Sequence, residues 1–131
     1  MTPTTSEQHL YEYAVIRYVP SVEREEFVNI GLIMMCKRRK WLRVRLHLDS
    51  GRLTSFRAPH TEEEILRQLD TFVRIGEGNP QGGPIALLTA EERFRWLTAV
   101  KSASIATSRP HPGKTADLEA TFDRLFGTLV L

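Results

Sequence analysis

Residues Tyr11–Leu48 constrain the fold of this chain most strongly, because they have the pattern of three β-strands in succession. In Tyr11–Val19 and in Phe27–Cys36, apolar side chains occupy both alternating sets of positions, which is typical of strands covered on both faces. In Trp41–Leu48, apolar residues alternate with arginine and histidine, which is typical of a strand with one face in water. The short connection between the last two strands indicates a β-hairpin. The segment therefore predicts an antiparallel sheet with two central strands.

Three residues interrupt the apolar pattern of these central strands: Arg17 in the first, and Asn29 and Gly31 in the second. A buried Asn29 would need hydrogen-bond partners, since an unpaired polar group in a core is costly. A glycine inside a strand indicates a bulge or a large neighbour that crosses over it. Strict alternation would place Phe27, Asn29 and Gly31 on one face of the sheet together with Ile33.

Helical signals follow in the second half of the chain. Two capping boxes, Thr61–Glu64 and Thr89–Glu92, each precede apolar residues at helical spacing, and Gly76 is expected to end the first helix. A third helix is expected to run from Thr115 or Asp117 to the C-terminus, with a wide apolar stripe.

The remaining segments are shorter. Residues 102–108 are small or β-branched and predict a fourth strand, whereas the segments 77–84 and 109–115 are rich in glycine and proline and predict loops. Strands come early and helices late, which favours an α+β fold. We expect an antiparallel sheet of three to four strands, with helices packed mainly on one face.

Length and composition bound the domain organisation and the compartment. A chain of 131 residues with 41% hydrophobic and 26% charged residues is expected to form one α+β domain over residues 10–131, after a flexible N-terminal tail of residues 1–9. Cys36 is the single cysteine and cannot form an internal disulfide, which fits a reducing cytosol. The polar start predicts no secretory leader, and the apolar runs are too short to cross a bilayer. We therefore expect a cytoplasmic protein without a membrane partner.

Charge is distributed unevenly along the chain. Residues 37–57 contain eight Lys or Arg and one acid, giving +7, although the whole chain has a net charge of only +2. Basic residues interleaved with an aromatic side chain can bind nucleic acid or an acidic protein surface. Alternatively, they solvate an edge strand and prevent its pairing with other sheets. An uncovered strand edge would make a homodimer possible. The predicted partner or nucleic-acid patch comprises Lys37, Arg38, Arg39, Lys40, Trp41, Arg43 and Arg45.

A second candidate is an anion-binding site, because arginine, lysine and hydroxyl donors hold phosphates and carboxylates. The alternative for Arg17 is a structural ion pair with Glu23, Glu26 or Glu92. The possible anion-binding residues are Arg17, Arg24, Lys101, Ser102, Arg109, His111 and Lys114, with Ser108 and Thr115 as further donors.

No catalytic motif is present in the sequence. Cys36 lies in an apolar strand, where a thiol is typically inert, and the four histidines have no metal-ligand spacing. Gly113-Lys114-Thr115 matches only the end of a P-loop, without the preceding glycine-rich turn. We expect no catalytic residue, no metal and no cofactor.

Two segments resemble signatures of the bacterial family known as domain of unknown function 3037, DUF3037. They are Tyr11–Gly31, with its Tyr-Glu-Tyr-Ala-Val-Ile-Arg-Tyr-Val-Pro start, and Glu92–Ser102, followed by the loop His111–Thr115. The resemblance implies a family without an assigned activity. Because members of that family lie beside genes of kinases that resemble HipA, it also implies a HipA-like kinase as a possible partner.

Three functions remain open from the sequence. The first is an accessory or protein-interaction domain without catalysis. The second is a nucleic-acid-associated protein that uses the hairpin of residues 37–45. The third is an enzyme or binder that acts on a phosphate-bearing ligand.

Overall fold

A computed structural model describes residues 7–21, 23, 26–55, 59–99 and 104–131. Within these residues the fold is α+β, as predicted. Strands and helices follow in the order β1 (His9–Ser21), β2 (Glu26–Cys36), β3 (Trp41–Leu46), α1 (Ser50–Ser55), α2 (Glu62–Glu77), α3 (Ala90–Ala99), β4 (Ile105–Thr107), β5 (His111–Thr115) and α4 (Leu118–Leu129). Two single-turn 3-10 helices, Pro80–Gly82 and Pro84–Leu87, connect α2 to α3.

The sheet is antiparallel, with β1 and β2 at its centre. The strand order is β3–β2–β1, and both β4 and β5 pair with the free side of β1. β5 pairs with the first residues of β1, from His9 to Tyr13, whereas β4 pairs with Ile16–Tyr18 further along the strand. Two short strands therefore share the fourth position, so the sheet has five strands where three to four were predicted.

β5 lies in the segment that was predicted to be a loop. Pro112 is tolerated there because β5 is at the edge of the sheet, where a missing N–H need not break a ladder. Gly113 is opposite Tyr11, whose ring occupies the space that a larger side chain would need. The two residues that suggested a loop are thus compatible with an edge strand under an aromatic ring.

A β-bulge interrupts β2, as Gly31 indicated. Ile16 is opposite Gly31, but the next residue of β1, Arg17, is opposite Asn29, so Ile30 is the extra residue. The extra residue reverses the alternation, and the strict assignment of faces was therefore wrong. Phe27 and Asn29 lie on the face of Leu32 and Met34, whereas Val28 and Ile30 join Ile33 in the other core.

Each face of the sheet has its own core. On one face, α1, α2 and α3 pack on β1 and β2, and the buried side chains include Ile16, Tyr18, Ile33, Leu69 and Phe94. On the opposite face, α4 packs on β2. The buried residues there are Tyr11, Leu32, Met34, Cys36, Leu118, Phe122, Leu125, Phe126 and Val130. Three of the four described α-helices thus lie on one face, which confirms the predicted arrangement.

The helix ends follow the local signals closely. In α3 the capping box is reciprocal: the Glu92 N–H donates to Thr89 Oγ1 at 3.2 Å, and the Thr89 N–H donates to Glu92 Oε1 at 3.2 Å. α2 was predicted to end at Gly76, but the helix continues to Glu77. Gly76 is buried against Val44, and Gly78, with φ of 71°, is the left-handed cap.

Candidate partner-binding surface

Lys37–Lys40, here called the basic turn, joins β2 to β3. The Lys40 N–H donates to the Lys37 carbonyl at 3.1 Å, which closes a four-residue turn between the paired residues Cys36 and Trp41. Lys40 has a φ of 52° and therefore adopts the left-handed conformation. All four residues of the turn are exposed.

The arginines of β3 are engaged by α4. Arg43 pairs with Glu119 at 3.0 Å and Arg45 pairs with Asp123 at 2.9 Å. The Arg45 guanidinium also lies 4.8 Å from the ring centre of Phe122, in a cation–π contact. These two members of the predicted patch thus hold α4 against the sheet.

Trp41 has a similar structural role. Its Nε1–H donates to Glu119 Oε2 at 3.0 Å, and its ring meets that of Phe122 edge to face, with 6.2 Å between the ring centres. A tryptophan in this position packs on α4 and does not offer a free stacking platform.

The basic turn keeps most of its charge available. Lys37 pairs with Glu91 of α3 at 3.4 Å. No carboxylate of the described chain pairs with Arg38, Arg39 or Lys40. The predicted patch is therefore divided into structural arginines in β3 and three uncompensated cations in the turn.

Grooves surround the basic turn on several sides. One of about 680 Å³ lies between the turn and the start of α3, lined by Lys37, Lys40, Leu88 and Glu91 among others. A second, of about 400 Å³, is lined by Gln8, Leu10, Lys37 and Arg38. A third, of about 360 Å³, lies on the α4 side and includes His9, Arg39, Trp41 and Asp117.

Two carboxylates beside Lys37, Glu12 and Glu91, are paired with cations. Arg95 binds the Glu12 carboxylate with both terminal nitrogens, and this hydrogen bonding raises the pKa of Arg95. Glu91 contacts Lys37 and also Arg95, the latter at 3.9 Å. Glu92 and Asp117, which also line these grooves, cap α3 and α4 and have no cationic partner among the described residues.

Sequence reasoning did not find the apolar residues of these grooves. Leu10 is 66% exposed and Leu88 is 39% exposed. The alternating pattern of β1 gives Leu10 no distinguishing signal, because its exposure depends on what the rest of the fold leaves uncovered.

The described residues of the predicted anion site do not lie together. Of the seven, Arg24, Lys101 and Ser102 lie outside the described residues. The Arg17 guanidinium lies over the Phe27 ring, 4.1 Å from its centre. Its Nε is buried without a hydrogen-bond partner.

The expected ion pair of Arg17 is not present in the described chain. Arg17 has no contact with Glu23, Glu26 or Glu92 among the ion pairs that the described residues form, and Glu92 instead caps α3. The Arg17 guanidinium contacts the Phe27 ring instead of a carboxylate.

The other described members of the anion site do not converge on Arg17. His111 is opposite Tyr13 and their ring centres are 5.2 Å apart, four residues of β1 away from Arg17, or about 13 Å of strand. Lys114 is opposite Leu10 and so lies on the other face of the sheet. Arg109 is exposed and follows β4. Anion binding by these residues stays a prediction.

A buried tyrosine, Tyr18, forms a side-chain hydrogen bond with a histidine. Tyr18 is fully buried, its hydroxyl is hydrogen bonded to His60 Nδ1 at 2.8 Å, and burial raises the pKa of its phenol. The pair links β1 to the start of α2. We interpret it as a satisfied core hydroxyl, since buried tyrosines generally find such a partner.

The described residues contain no group of three or more His, Cys, Asp or Glu side chains arranged to hold a metal ion. No helix in the described part of the chain combines the length and apolar character needed to span a membrane.

Comparison with known proteins identifies the family. Residues 13–130 match the family described as "Protein of unknown function (DUF3037)". A search of curated proteins found no match, and neither did a search of solved structures. The match extends over nearly the whole chain and agrees with the resemblance seen in Tyr11–Gly31. This chain therefore belongs to the DUF3037 family.

Proposed function

We propose that this chain is a cytosolic, non-catalytic protein-interaction domain that binds an acidic partner surface through the basic turn. One observation carries the proposal. Arg38, Arg39 and Lys40 are exposed without a carboxylate partner in the described chain, whereas the neighbouring β3 arginines are neutralised by α4. Uncompensated charge on a hairpin is suited to recognition, because a complementary surface gains attraction without first breaking an internal pair.

The same contacts favour a protein partner over nucleic acid. Sequence-independent binding of single strands needs a stacking aromatic and several phosphate contacts. Trp41 packs on α4 and donates its N–H to Glu119, and Arg45 is paired with Asp123.

A partner can be named only through the family resemblance. The kinases that accompany some family members make a HipA-like kinase one candidate to test directly.

The test uses two double charge reversals of equal size. Arg38→Glu/Arg39→Glu changes the basic turn, and Arg67→Glu/Arg124→Glu changes two exposed arginines on α2 and α4. Wild type and both variants are used as tagged baits in the native host, and each captured protein is purified for titration. We expect the control to bind as wild type does. The turn variant should bind at least about tenfold more weakly, because like-charge contacts cost several kcal/mol.

Equal binding by all three proteins would rule out the basic turn as the binding surface. The nucleic-acid alternative is tested with labelled DNA and RNA at low salt. Tight binding that weakens steeply with salt and is lost in the turn variant would replace our proposal.

A further inference from the structure

Lys37 lies where three hollows of the surface meet. The 680 Å³ groove at the start of α3 shares Lys37 and Glu91 with a hollow of about 270 Å³. That hollow shares Leu10 and Lys37 with the 400 Å³ groove beside Gln8. Lys37 lines all three hollows, from the one beside Gln8 to the one beside Leu88, and they are here together called the Lys37 groove.

The Lys37 groove has an apolar residue near each end. Leu10 is 66% exposed at the β1 end, and Leu88 is 39% exposed at the α3 end. Singly exposed leucines are common on protein surfaces. Two leucines in the Lys37 groove provide separate positions where apolar side chains of a ligand can be buried.

The rim between these leucines is cationic. Arg38 borders the groove at the Leu10 end and Lys40 borders it at the Leu88 end. Neither has a carboxylate partner among the described residues. Of the groove's three acids, Glu12 and Glu91 are held by Arg95 and Lys37, and Glu92 caps α3. The groove is thus complementary to a ligand that carries negative charge between apolar groups.

The floor also includes a strand edge. β1 pairs with β5 from His9 onwards, but its register with β2 begins at Glu12. Within the described chain, the first residues of β1 therefore have a partner strand on one side. The other side faces Lys37 and Arg38 across the groove. An extended peptide can pair with such an edge.

We propose that the Lys37 groove binds an extended acidic segment of a partner protein, with one apolar side chain on Leu10, a second on Leu88, and carboxylates between them on Arg38 and Lys40. This assignment rests on the proposed function and specifies its ligand. The ligand must contact both leucines and must be extended. Neither property is needed for an acidic protein surface to bind the basic turn.

The test uses fluorescein-labelled decapeptides of Glu and Asp that carry two leucines at spacings from three to seven residues. Matched peptides have serine in place of leucine. Affinities are measured by fluorescence anisotropy with wild type, with Leu10→Ala/Leu88→Ala, and with the control Leu66→Ala/Leu131→Ala. The control removes two other exposed leucines, which are 46% and 59% exposed.

We expect one spacing to bind best, the serine peptides to bind about tenfold more weakly, and Leu10→Ala/Leu88→Ala to lose about the same factor. The control should bind as wild type does. Arg38→Glu/Lys40→Glu, which reverses the two cations at the rim of the groove, should abolish binding.

Other outcomes separate this inference from the proposed function. If serine and leucine peptides bind equally and Leu10→Ala/Leu88→Ala has no effect, the inference is wrong and general acidic binding stands. If no peptide binds while a native partner still requires Arg38 and Arg39, the ligand is a folded surface and the inference is again wrong. If binding is indifferent to the charge reversal, both fail. A dimer in sedimentation that dissociates on charge reversal would assign the groove to a second copy.

Discussion

Gly31 is important for the contacts of β2 with the neighbouring strand β3 and with α4. A Cβ at this position would lie 2.8 Å from the Arg45 carbonyl oxygen and 2.7 Å from Leu46 Cδ2, so the paired strand β3 approaches Gly31 closely. The bulge beside Gly31 also turns Asn29 towards α4, where its Nδ2 donates to the Leu129 carbonyl at 2.9 Å. One residue without a side chain thus permits both the close approach of β3 and the fastening of α4.

Replacement of Gly31 by alanine should therefore destabilise the protein by roughly 1–3 kcal/mol, because a backbone carbonyl cannot move aside as a side chain can. Gly127 is the matched control. It lies inside α4 with no atom within 4 Å of an added Cβ, so Gly127→Ala should stabilise by about 0.5–1 kcal/mol. Urea unfolding measures both. Two variants of equal stability would contradict the close approach at Gly31.

Tyr18 should make stability depend on pH in the alkaline range. Burial raises the pKa of Tyr18 above its ordinary value of 10.0, so the folded state holds the phenolic proton more tightly than the unfolded state. The resulting stability is fully present below pH 10 and is lost as the pH rises from there through the folded pKa.

Melting temperatures at pH 8 and above pH 10 test this. Tyr18→Phe should lower Tm at pH 8, because His60 Nδ1 loses its partner, but should show a smaller further loss in alkali than wild type does. Tyr13→Phe, at a partly exposed tyrosine, should follow wild type. An identical alkaline loss in all three proteins would argue against Tyr18.

At the scale of elements, α4 alone covers the second core of the described chain. Phe122, Leu125 and Phe126 of α4 pack on Leu32, Met34 and Cys36 of β2. The C-terminal end of α4 is fastened from the other side by Arg52, whose Nη1 donates to the Val130 carbonyl at 2.8 Å. Cys36, the single cysteine, is fully buried beneath α4 and therefore reports on its position.

Loosening of α4 should expose Cys36 before the rest of the protein unfolds. Phe122→Ala and Phe94→Ala each remove a buried ring at a cost of about 3–5 kcal/mol, but only Phe122 lies in the core of Cys36. We expect thiol labelling under native conditions to be faster in Phe122→Ala than in Phe94→Ala, since local opening needs less free energy than global unfolding. If either alanine variant fails to fold, Phe122→Leu and Phe94→Leu, which remove less of the side chain, give the same comparison. Equal labelling rates at equal stability would show that α4 opens only with the whole protein.

At the scale of the whole molecule, the basic residues of 37–45 divide into two functions. Arg43 and Arg45 lie on the face that α4 covers and contact Glu119 and Asp123. Arg38 and Arg39 lie at the end of the sheet, beyond α4, and contact no acid of the described chain. A single run of positive charge in the sequence therefore includes residues that hold the fold together and residues that are free to bind.

Stability measurements should separate these two groups. Arg43→Ala/Arg45→Ala should cost about 1–2 kcal/mol, because it removes two half-exposed ion pairs and the contacts of both guanidiniums with aromatic rings. Arg38→Ala/Arg39→Ala should change the free energy of unfolding by less than about 0.5 kcal/mol. Both are read from urea midpoints. A larger loss of stability in Arg38→Ala/Arg39→Ala than in Arg43→Ala/Arg45→Ala would contradict this division of the basic segment.

Sequence alone determined the fold class, the capping box of α3 and the Thr61 cap of α2, and it gave a bulge as one of two explanations for Gly31. These features depend on alternation, helical spacing and capping, which act between residues close together in the chain. The family, too, could be recognised from Tyr11–Gly31. The local signals failed for β5, because proline and glycine indicate a loop unless a sheet edge and a covering ring such as Tyr11 are already in place.

Tertiary structure decided which basic residues are free. Arg45 and Asp123 are 78 residues apart in the chain, and no local pattern indicates that α4 would carry an acid to each β3 arginine. The Lys37 groove likewise needs β1, the basic turn and the start of α3 to meet in space. The number of charged residues in a segment can be read from the sequence. Which of those charges are neutralised depends on packing, because charge compensation is set by distances in the folded chain.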